Sequence, residues 1–467
     1  MKPQFDKAAR AITVAAFLTV LPYTGPVSPA LAQISLPPVN DPLNSTIDPL
    51  TRRTRDELDT RTRRRVDEVQ EATDELPVAE TVEPALASLD ESLDAAEQIA
   101  GTAGQVAGAL ARPFVADFDS NAWTIEKNVL VVLVDDEQLA ALNSAGFDIV
   151  GQWRLPSLGL SMLTLRDTSG TTLPDAAENL RKQLPGIAVD FNHVYRFADD
   201  AHIDDSVENE EQTTATSNAA AIRIGMIDSA VDTQHFSLRD SVIVTNDFVS
   251  FDGERPLSHG TAVASIIARS SDSSAGIFAA SVFFATPNHA PGASTESLVA
   301  ALDWLVTQDV DVINMSLTGP ANALLERALE GLAADGPPVI AAVGNNGPSG
   351  PPLYPAAYDG VVGVTATDRD KKIFRYANRG PHVDFAAFGV NVKVADAGAG
   401  WLIESGTSMA SPHVAVVIAQ TLRSDQLALQ ALLELLSSNA EDLGSKGFDP
   451  VFGYGLITQA PQLLSGN

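Results

Sequence analysis

Cysteine is absent from the 467-residue sequence. Its absence excludes disulfides, thiolate zinc sites, cysteine nucleophiles and a lipid-modified N-terminal cysteine. If the protein works outside the cytoplasm, its stability must therefore come from its core, from bound ions or from slow unfolding.

Basic residues are scarce. Lysine and arginine number 30 against 60 aspartates and glutamates, which gives a formal net charge of -30. Such a surface repels nucleic acid and anionic lipid, so we expect neither as a main partner. Hydrophobic residues make up 45% and charged residues 19% of the chain, a globular composition. At ~150 residues per domain, the length indicates two or three folded units.

An apolar stretch near the N-terminus, from Ala11 to Leu21, is too short to span a bilayer comfortably. Positive charge precedes it and a small-residue cleavage motif follows it, at Lys2, Lys7, Arg10 and Ala30-Leu31-Ala32. The pattern predicts a signal peptide over 1–32. An uncleaved anchor or an ordinary helix is the alternative, which the helix breakers Pro22 and Gly25 disfavour. We therefore expect a periplasmic or secreted protein with no stable membrane insertion after signal removal.

The rest of the chain divides by composition into four regions. Residues 33–120 indicate a low-complexity, helical spacer that is first Pro-rich, then charge-dense, then Ala-rich. Residues 121–197 show the element order β-α-β-β-α-β, which is typical of a small ferredoxin-like α+β domain. Residues 198–220 are acidic and small, so we expect an exposed linker. Residues 221–467 form the last and largest region.

Short apolar runs alternate with helical stretches after residue 221. This alternation predicts an α/β domain with a parallel sheet covered by helices on both faces. Reactive groups collect at the carboxyl ends of the strands in such sheets. The predicted strands are 222–227, 281–285, 310–315, 339–343 and 361–365, and the predicted helices are 261–269, 296–307 and 321–334.

Three polar residues stand where apolar elements end or begin. Asp228 ends the first strand, His259 precedes a helix, and Ser408 starts another helix within Gly406-Thr407-Ser408-Met409. A serine hydroxyl needs an imidazole to remove its proton, and a buried carboxylate then orients that imidazole. Singly, each residue is equally explained as a turn, loop or helix-capping residue. Together, in this order, they indicate a candidate catalytic set.

The motifs around these residues resemble those of a known family. They read Ile-Asp-Ser-Ala-Val-Asp at Asp228, His-Gly-Thr-Ala-Val-Ala-Ser at His259 and Gly-Thr-Ser-Met-Ala-Ser-Pro-His-Val-Ala at Ser408. They are similar to the three catalytic motifs of the subtilases, in the same chain order. The resemblance covers residues 221–467, ending in Gly453-Tyr454-Gly455-Leu456. It implies a subtilisin-like serine endopeptidase that acts on polypeptides through an acyl-enzyme intermediate.

The same resemblance implies further roles. Residues 121–197 look like the subtilase propeptide, an intramolecular inhibitor and folding chaperone, so the chain would be a self-processing zymogen. Asn345 would donate to the oxyanion, with the Ser408 amide as second donor. Leu353 stands where many members have glycine, which indicates a shallow pocket and small or medium apolar residues before the cleaved bond. The implied substrate-binding residues are Ser316, Leu317, Thr318, Gly344 and Leu353.

Two departures from the family pattern stand out. Ala230 replaces a usual glycine, and a backbone that needs positive φ would tolerate alanine poorly. The segment 270–280 is too short for the calcium loop of secreted bacterial subtilisins, so we expect no metal at that site. No cofactor is expected.

Three other interpretations remain open on the sequence alone. A sedolisin-type acid peptidase shares the Gly-Thr-Ser motif but carries glutamate in place of His259. A degenerate, non-catalytic binding protein would be expected to lack a member of the triad, and none is missing. The spacer 33–120 could attach the protein to a surface or partner through a coiled coil, although it shows no sustained heptad pattern.

The first prediction concerns export. We expect N-terminal sequencing of exported protein to begin at Gln33, because signal peptidase cleaves after small residues such as those at 30–32. A sequence that begins at Met1 would contradict the signal peptide.

Overall fold

The computed structural model describes residues 112–142, 147–168, 170–198, 202–203, 222–271, 275–286, 289–332, 336–398, 400–425 and 429–458. The signal peptide predicted over 1–32 and most of the spacer predicted over 33–120 lie outside these residues.

The N-terminal part of the described chain is a small antiparallel sheet with two helices on one face. Its strands lie in the order β5-β2-β4-β3, with β1 paired to β2. After β1, the elements follow the order β-α-β-β-α-β. They are β1 (Ala116–Phe118), β2 (Thr124–Val134), α1 (Asp136–Leu142), β3 (Asp148–Leu155), β4 (Leu160–Arg166), α2 (Leu173–Gln183) and β5 (Ala188–Phe197).

Helix α2 shows why this part folds as it does. Thr172 caps it by accepting the amide of Asp175, and a proline occupies the first turn, where no intrahelical donor is needed. Its apolar face buries Ala176, Ala177 and Leu180. They pack on one face of the sheet in a small core with α1.

Arg112 is already part of the packed structure, ahead of the residue-121 boundary between the predicted spacer and the small domain. Backbone hydrogen bonds join Arg112 to Ser250 and Asp252. The pairing of β1 with β2 then brings this segment onto the small sheet. These residues are held by partners that are distant in the sequence. A local apolar pattern therefore does not indicate that they are packed.

The larger part of the molecule is built on a seven-stranded sheet. All of its neighbouring strands are parallel, in the order β16-β15-β14-β12-β7-β9-β8. The elements are β6 (His202–Ile203), β7 (Arg223–Asp228), β8 (Val242–Asp247), α3 (Ser258–Ser270), β9 (Gly276–Ser281), β10 (Phe283–Thr286), β11 (His289–Ser294), α4 (Thr295–Thr307), β12 (Val312–Met315), β13 (Leu317–Thr318), α5 (Ala323–Leu332), β14 (Val339–Ala342), β15 (Val361–Thr367), β16 (Phe385–Phe388), β17 (Val392–Ala395), β18 (Trp401–Glu404), α6 (Thr407–Asp425) and α7 (Leu429–Asn439).

Helices cover both faces of this sheet, which confirms the predicted α/β class. Every residue of β12, β14 and β15 is buried, as expected for strands covered on both sides. Ile224 and Met226 of β7 share a core with α3 and α6, while Ile227 shares a second core with α4 and α5. The second core also contains side chains of β2, β3 and β4. Helices α4 and α5 therefore lie between the two sheets.

Some strand predictions differ from the structure. The strand expected over 281–285 is instead two strands, the parallel β9 and then β10, which forms an antiparallel pair with β11. The apolar run continues through β9 and β10, so it does not indicate that the strand pairing changes from parallel to antiparallel. Strand β8 was missed because it is an edge strand whose side chains are largely exposed.

The linker predicted over 198–220 is not exposed where it begins. Ala198 is 3% exposed. Further on, His202 and Ile203 pair with Glu404 and Ile403 of β18. Composition predicted exposure because the side chains are small and polar, but backbone pairing with an existing strand edge does not require apolar side chains.

Within the ranges that the structure describes, no helix has both the length and the apolar character needed to cross a membrane.

The second prediction concerns acid stability. Burial, together with the nearby charges of Arg269 and Arg369, lowers the pKa of His413 to about 4. The folded state keeps this ring neutral, so its contribution to stability is complete above the unfolded pKa near 6.5 and is lost as pH falls toward 4. At ~1.4 kcal/mol per pKa unit, the loss amounts to about 3 kcal/mol.

Burial raises the pKa of Asp303 and Asp384 to about 6, which acts in the opposite direction, so the His413 contribution is read as a difference between two variants. We expect the additional change His413→Gln to make the free energy of unfolding of the Ser408→Ala chain, in which self-digestion is prevented, less unfavourably affected by acid between pH 7 and pH 4. Equal acid sensitivity with and without His413, measured by urea unfolding, would contradict the assignment.

Candidate active site

The first part of the site is a carboxylate–imidazole pair. Asp228 ends β7 and is 1% exposed. Its Oδ1 accepts hydrogen bonds from the backbone amide of Ser229 at 2.6 Å and from Nδ1 of His259 at 2.7 Å. A carboxylate can only accept, so the proton sits on Nδ1 and the basic nitrogen of the ring is Nε2.

Gly260 allows this pair to form. A Cβ built on Gly260 would lie 2.3 Å from the carbonyl oxygen of Ser229 and 2.8 Å from that of Ala230. Any side chain there would push α3 away from the end of β7. The Gly260 amide also donates to Ser229 Oγ at 2.8 Å. Ala230 is not among the described residues with positive φ, so alanine fits this turn without strain.

Ser408 lies in the first turn of α6 and is fully buried. Its Oγ donates to the carbonyl oxygen of Ser316 at 3.2 Å. In return, Ser316 Oγ donates to the carbonyl oxygen of Ser408 at 3.1 Å. Asn314 Nδ2 donates to Ser316 Oγ at 2.9 Å, and Ser411 Oγ lies 3.0 Å from it. This network fixes the start of α6 against the residue between β12 and β13.

Asn345 follows β14 and is held beside Ser408 by Thr407. Its Oδ1 accepts from the Thr407 backbone amide at 3.3 Å and from Thr407 Oγ1 at 3.1 Å. The amide of Gly344 donates to Thr407 Oγ1 at 3.1 Å. With Oδ1 used in this way, Nδ2 is the group of Asn345 suited to stabilising a negative charge.

The residues predicted to bind substrate form one edge of the site. Leu317 and Thr318 make up β13, next to Ser316. Leu353 is 1% exposed. A Cβ built on Gly344 would lie 2.5 Å from Leu353 Cδ1 and 3.3 Å from Thr318 Cγ2. The space beside Gly344 is therefore largely filled by Leu353 and Thr318.

The end of β5 occupies this edge. Arg196 pairs with Thr318 and Phe197 pairs with Leu317, in antiparallel register. The Phe197 ring stacks on the His259 imidazole with centroids 4.3 Å apart, and on Phe283 at 4.0 Å. A part of the chain outside the large sheet thus covers the predicted site.

The structure therefore brings all of the predicted site residues into one region. Asp228 contacts His259, Asn345 contacts Thr407, and Ser408 contacts Ser316. Sequence analysis assigned no role to Thr407, Gly260, Asn314, Ser411 or Phe197. The first four lie in or beside the motifs that carried the family resemblance, so that resemblance could have pointed to them, whereas Phe197 precedes the acidic linker with no signal of its own.

Among the described residues, no group of three or more histidines, aspartates or glutamates is placed to hold a metal ion. The expected lack of a calcium site stays a prediction.

Comparison with known sequences gives consistent matches. The model of the subtilase family matches residues 219–455. Subtilisin DY of Bacillus licheniformis is 33% identical over 251 residues, which cover 51% of this chain and 89% of that protein. The minor extracellular protease Epr of Bacillus subtilis is 36% identical over 169 residues, 36% of this chain. This chain spans 26% of the length of Epr.

Solved structures share the fold. Fervidolysin from Fervidobacterium pennivorans, described as a keratinolytic enzyme related to subtilisin, superposes with a TM-score of 0.58 at 19% identity. It covers 75% of this chain, and this chain covers 62% of it. The epidermin leader peptide processing protease of Staphylococcus aureus gives a TM-score of 0.53 at 16% identity, covering 70% of this chain and 97% of its own.

The family match extends over half of the chain and includes Asp228, His259, Asn345 and Ser408. The chain belongs to the subtilase family, and residues 219–455 are its subtilase domain.

Proposed function

We propose that this protein is an exported serine endopeptidase, made as a self-processing zymogen, that hydrolyses peptide bonds through Asp228, His259 and Ser408. The observation that carries the proposal is the 2.7 Å hydrogen bond between Asp228 and His259. Ser408 belongs to the same site, where its Oγ donates to the carbonyl oxygen of Ser316 at the predicted substrate edge. A carboxylate-oriented imidazole beside a buried serine is the arrangement that activates a hydroxyl nucleophile.

The catalytic steps follow from the protonation of His259. Nε2 takes the proton of Ser408 Oγ as that oxygen attacks the substrate carbonyl carbon. Asp228 stabilises the imidazolium that forms, without itself becoming protonated. His259 then donates the proton to the leaving amine, which leaves an ester on Ser408. A water molecule, activated by the same nitrogen, hydrolyses this ester and regenerates the serine.

The developing oxyanion would be stabilised by two groups. One is Nδ2 of Asn345, whose Oδ1 is fixed by Thr407. The other is the backbone amide of Ser408, in the first turn of α6, where amides lack an intrahelical acceptor. The positive end of the helix dipole adds to this effect. Both donors are held before substrate arrives, which is the condition for a large effect on rate.

The small sheet domain is suited to act as the intramolecular inhibitor. Its residues cap two helices of the large domain: Asn192 Oδ1 accepts from the Glu296 amide at 3.2 Å, and Asp190 Oδ2 accepts from the Ala323 amide at 2.9 Å. These amides lie at the starts of α4 and α5, where donors otherwise lack partners. At the other end of α4, Asp303 Oδ1 accepts from the amide of Ser157 at 2.8 Å.

A buried charge cluster adds to this interface. The Arg112 guanidinium bonds both oxygens of Glu126 at 2.8 Å and one oxygen of Glu296 at 2.8 Å. Thr164 donates to the other oxygen of Glu296 at 2.7 Å, and Asn192 donates to Glu126 at 2.9 Å. Burial raises the pKa of Glu296, while the positive charge of Arg112 opposes that rise. Arg112 therefore bridges two carboxylates that lie on opposite sides of the interface.

Export is part of the proposal. The signal-like N-terminus supports it, and one relative, the minor extracellular protease Epr, is in agreement.

The third prediction concerns the catalytic residues. We expect Ser408→Ala to abolish both self-cleavage and casein hydrolysis, because no other group can form the ester. Asn345→Ala should lower kcat roughly 10²–10³-fold with little change in KM, since it removes one oxyanion donor.

The neighbouring Asn346 is exposed, so Asn346→Ala serves as the matched control and should stay near wild type. Casein hydrolysis by folded Ser408→Ala protein would refute the proposed nucleophile. Equal losses for Asn345→Ala and Asn346→Ala would refute the oxyanion role.

The fourth prediction concerns inhibition. Arg112→Gln leaves Glu126 and Glu296 buried without a cation, and breaking a buried pair in this way costs about 3–5 kcal/mol. After self-cleavage, the small domain should therefore dissociate more readily, with affinity lower by roughly 10²-fold or more. The lag before peptide hydrolysis begins should shorten accordingly.

Arg154→Gln is the matched control, because Arg154 pairs with Asp136 at the surface, where ion pairs contribute little. An unchanged lag in Arg112→Gln, or equal shortening in both variants, would contradict the role assigned to Arg112.

A further inference from the structure

Residues 194–197 lie between two strand edges of the large domain, in the manner of a bound peptide. On one side, Val194 and Tyr195 pair with Ser294 and Ala293 of β11. On the other side, Arg196 and Phe197 pair with β13. Addition of an extended segment to exposed strand edges is a general mode of peptide recognition, in which main-chain bonds give affinity and side-chain pockets give specificity.

The register of this pairing locates the catalytic serine along the segment. Arg196 is level with Thr318 and Phe197 with Leu317, so the next residue, Ala198, is level with Ser316. The carbonyl oxygen of Ser316 accepts the hydrogen bond of Ser408 Oγ. The residue opposite Ser316 is therefore the one whose carbonyl group lies nearest the nucleophile.

Two further contacts agree with this register. Phe197 covers the His259 imidazole, so the preceding residues lie on one side of the catalytic pair. Beyond Ala198, the next described residues, His202 and Ile203, pair with β18, which ends four residues before Ser408. The register with β13 therefore selects the bond on the carboxyl side of Ala198.

We propose that Ser408 cleaves this chain on the carboxyl side of Ala198, and that Tyr195, Phe197 and Ala198 show the residue preferences of the enzyme before the cleaved bond. The inference rests on the proposed endopeptidase activity and adds to it a cleavage site and a substrate class.

The Ala198 subsite is small. Leu353 and Thr318 fill the space beside Gly344, as the contacts of a Cβ built on Gly344 show. Ala198 is itself 3% exposed, so a larger side chain at this position would have to be accommodated in buried space. Because the family resemblance assigns Leu353 to this pocket, we expect an aromatic side chain at position 198 to require a shift of Leu353.

Tyr195 occupies the deepest subsite. It is fully buried, and its hydroxyl donates to the carbonyl oxygen of Pro320 at 2.9 Å. Its ring lies on Gly319, where a Cβ would come within 2.3 Å of the ring. Glycine at 319 therefore makes room for an aromatic ring, and the carbonyl of Pro320 favours tyrosine over phenylalanine.

Phe197 and Arg196 differ in what they contribute. Phe197 fills the space between His259 and Phe283, so an apolar ring is favoured directly before Ala198. Arg196 points toward the carbonyl oxygens of Ala290 and Pro291, at 2.6 and 2.8 Å. One of these contacts is exposed and the other is half-buried, so a change of this side chain should cost less than loss of the fully buried Tyr195 ring.

The cleavage step needs only Ser408, His259 and water. Ser408 Oγ forms a bond to the carbonyl carbon of Ala198 and passes its proton to His259. The bond from that carbon to the nitrogen of Asp199 breaks, and the nitrogen takes the proton. Water then hydrolyses the ester, which yields a carboxylate at Ala198 and a free amino group at Asp199.

The first test follows self-cleavage of the full chain in acid-quenched time points by mass spectrometry. We expect the earliest pair of fragments to end at Ala198 and to begin at Asp199. Ala198→Phe should slow this first cut at least tenfold or move it, whereas the control Arg154→Gln, at the exposed pair with Asp136, should change its rate less than threefold. A first cut elsewhere, or Ala198→Phe cut after residue 198 at the wild-type rate, would overturn the proposal.

The second test uses peptide substrates and does not depend on folding of a variant. The processed enzyme is assayed on acetyl-Val-Tyr-Arg-Phe-Ala-p-nitroanilide. We expect kcat/KM to fall at least tenfold when phenylalanine replaces the final alanine, or alanine replaces the tyrosine, and less than threefold when alanine replaces the arginine. Equal or faster cleavage after phenylalanine would overturn the proposed preference.

Different results would refute the cleavage site and the endopeptidase activity. If the enzyme hydrolyses casein or these peptides but first cuts its own chain elsewhere, the cleavage site is refuted and the endopeptidase stands. If the folded chain cleaves neither itself, nor casein, nor any of the peptides, the endopeptidase proposal itself is refuted.

Discussion

The hydrogen bond between Asp228 Oδ1 and His259 Nδ1 is the constraint on which the site depends. It requires the end of a buried strand and the start of a helix to approach so closely that only glycine fits at 260. The parallel sheet meets this requirement, because it ends its strands along one edge and starts its helices there. Ser229, which donates to Asp228 and accepts from Gly260, ties the strand end to the helix start on both sides.

Ser316 joins the nucleophile to the substrate edge. Its carbonyl oxygen accepts from Ser408 Oγ, its hydroxyl donates to the Ser408 carbonyl oxygen, and the next two residues pair with the end of β5. A shift of β13 would therefore move bound backbone and nucleophile together. Asn314 and Ser411 bond the Ser316 hydroxyl and so hold it in place. All three residues are fully buried, where a hydroxyl without a hydrogen bond would be costly.

The residues proposed as catalytic could be located from the sequence because their chemistry requires short, contiguous motifs, such as Gly-Thr-Ser-Met around Ser408. The parallel strands could be predicted because burial on both faces leaves continuous apolar runs. Contacts between distant segments gave no such signal. Arg112 bonds Glu126 and Glu296, which are 14 and 184 positions away, and its surroundings in the sequence resemble a solvated spacer.

The start of the acidic linker was misjudged for a related reason. Composition predicts whether a segment can form a core of its own, and this one cannot. It does not predict whether the backbone of the segment finds a strand edge that is already in place. Residues 202–203 of the linker do so at β18, and residues 196–197, which precede the linker, do so at β13. A short stretch of low apolar content can thus pair with a strand where its sequence alone indicates an exposed chain.

The interface between the small domain and α4 and α5 combines an apolar core with buried polar contacts, and the polar contacts suit the proposed inhibitor, which must be released. While the chain is intact, the small domain is tethered at a high effective concentration, so even a modest interface stays closed. Once the proposed cut after Ala198 is made, only the affinity of the interface would hold it. Asp190 and Asn192 hold helix-start amides, and Arg112 holds a buried pair of carboxylates. Water can satisfy the amides on dissociation and can hydrate the freed carboxylates. The balance between these buried polar contacts and water, rather than apolar area alone, therefore sets how long the cleaved domain stays bound.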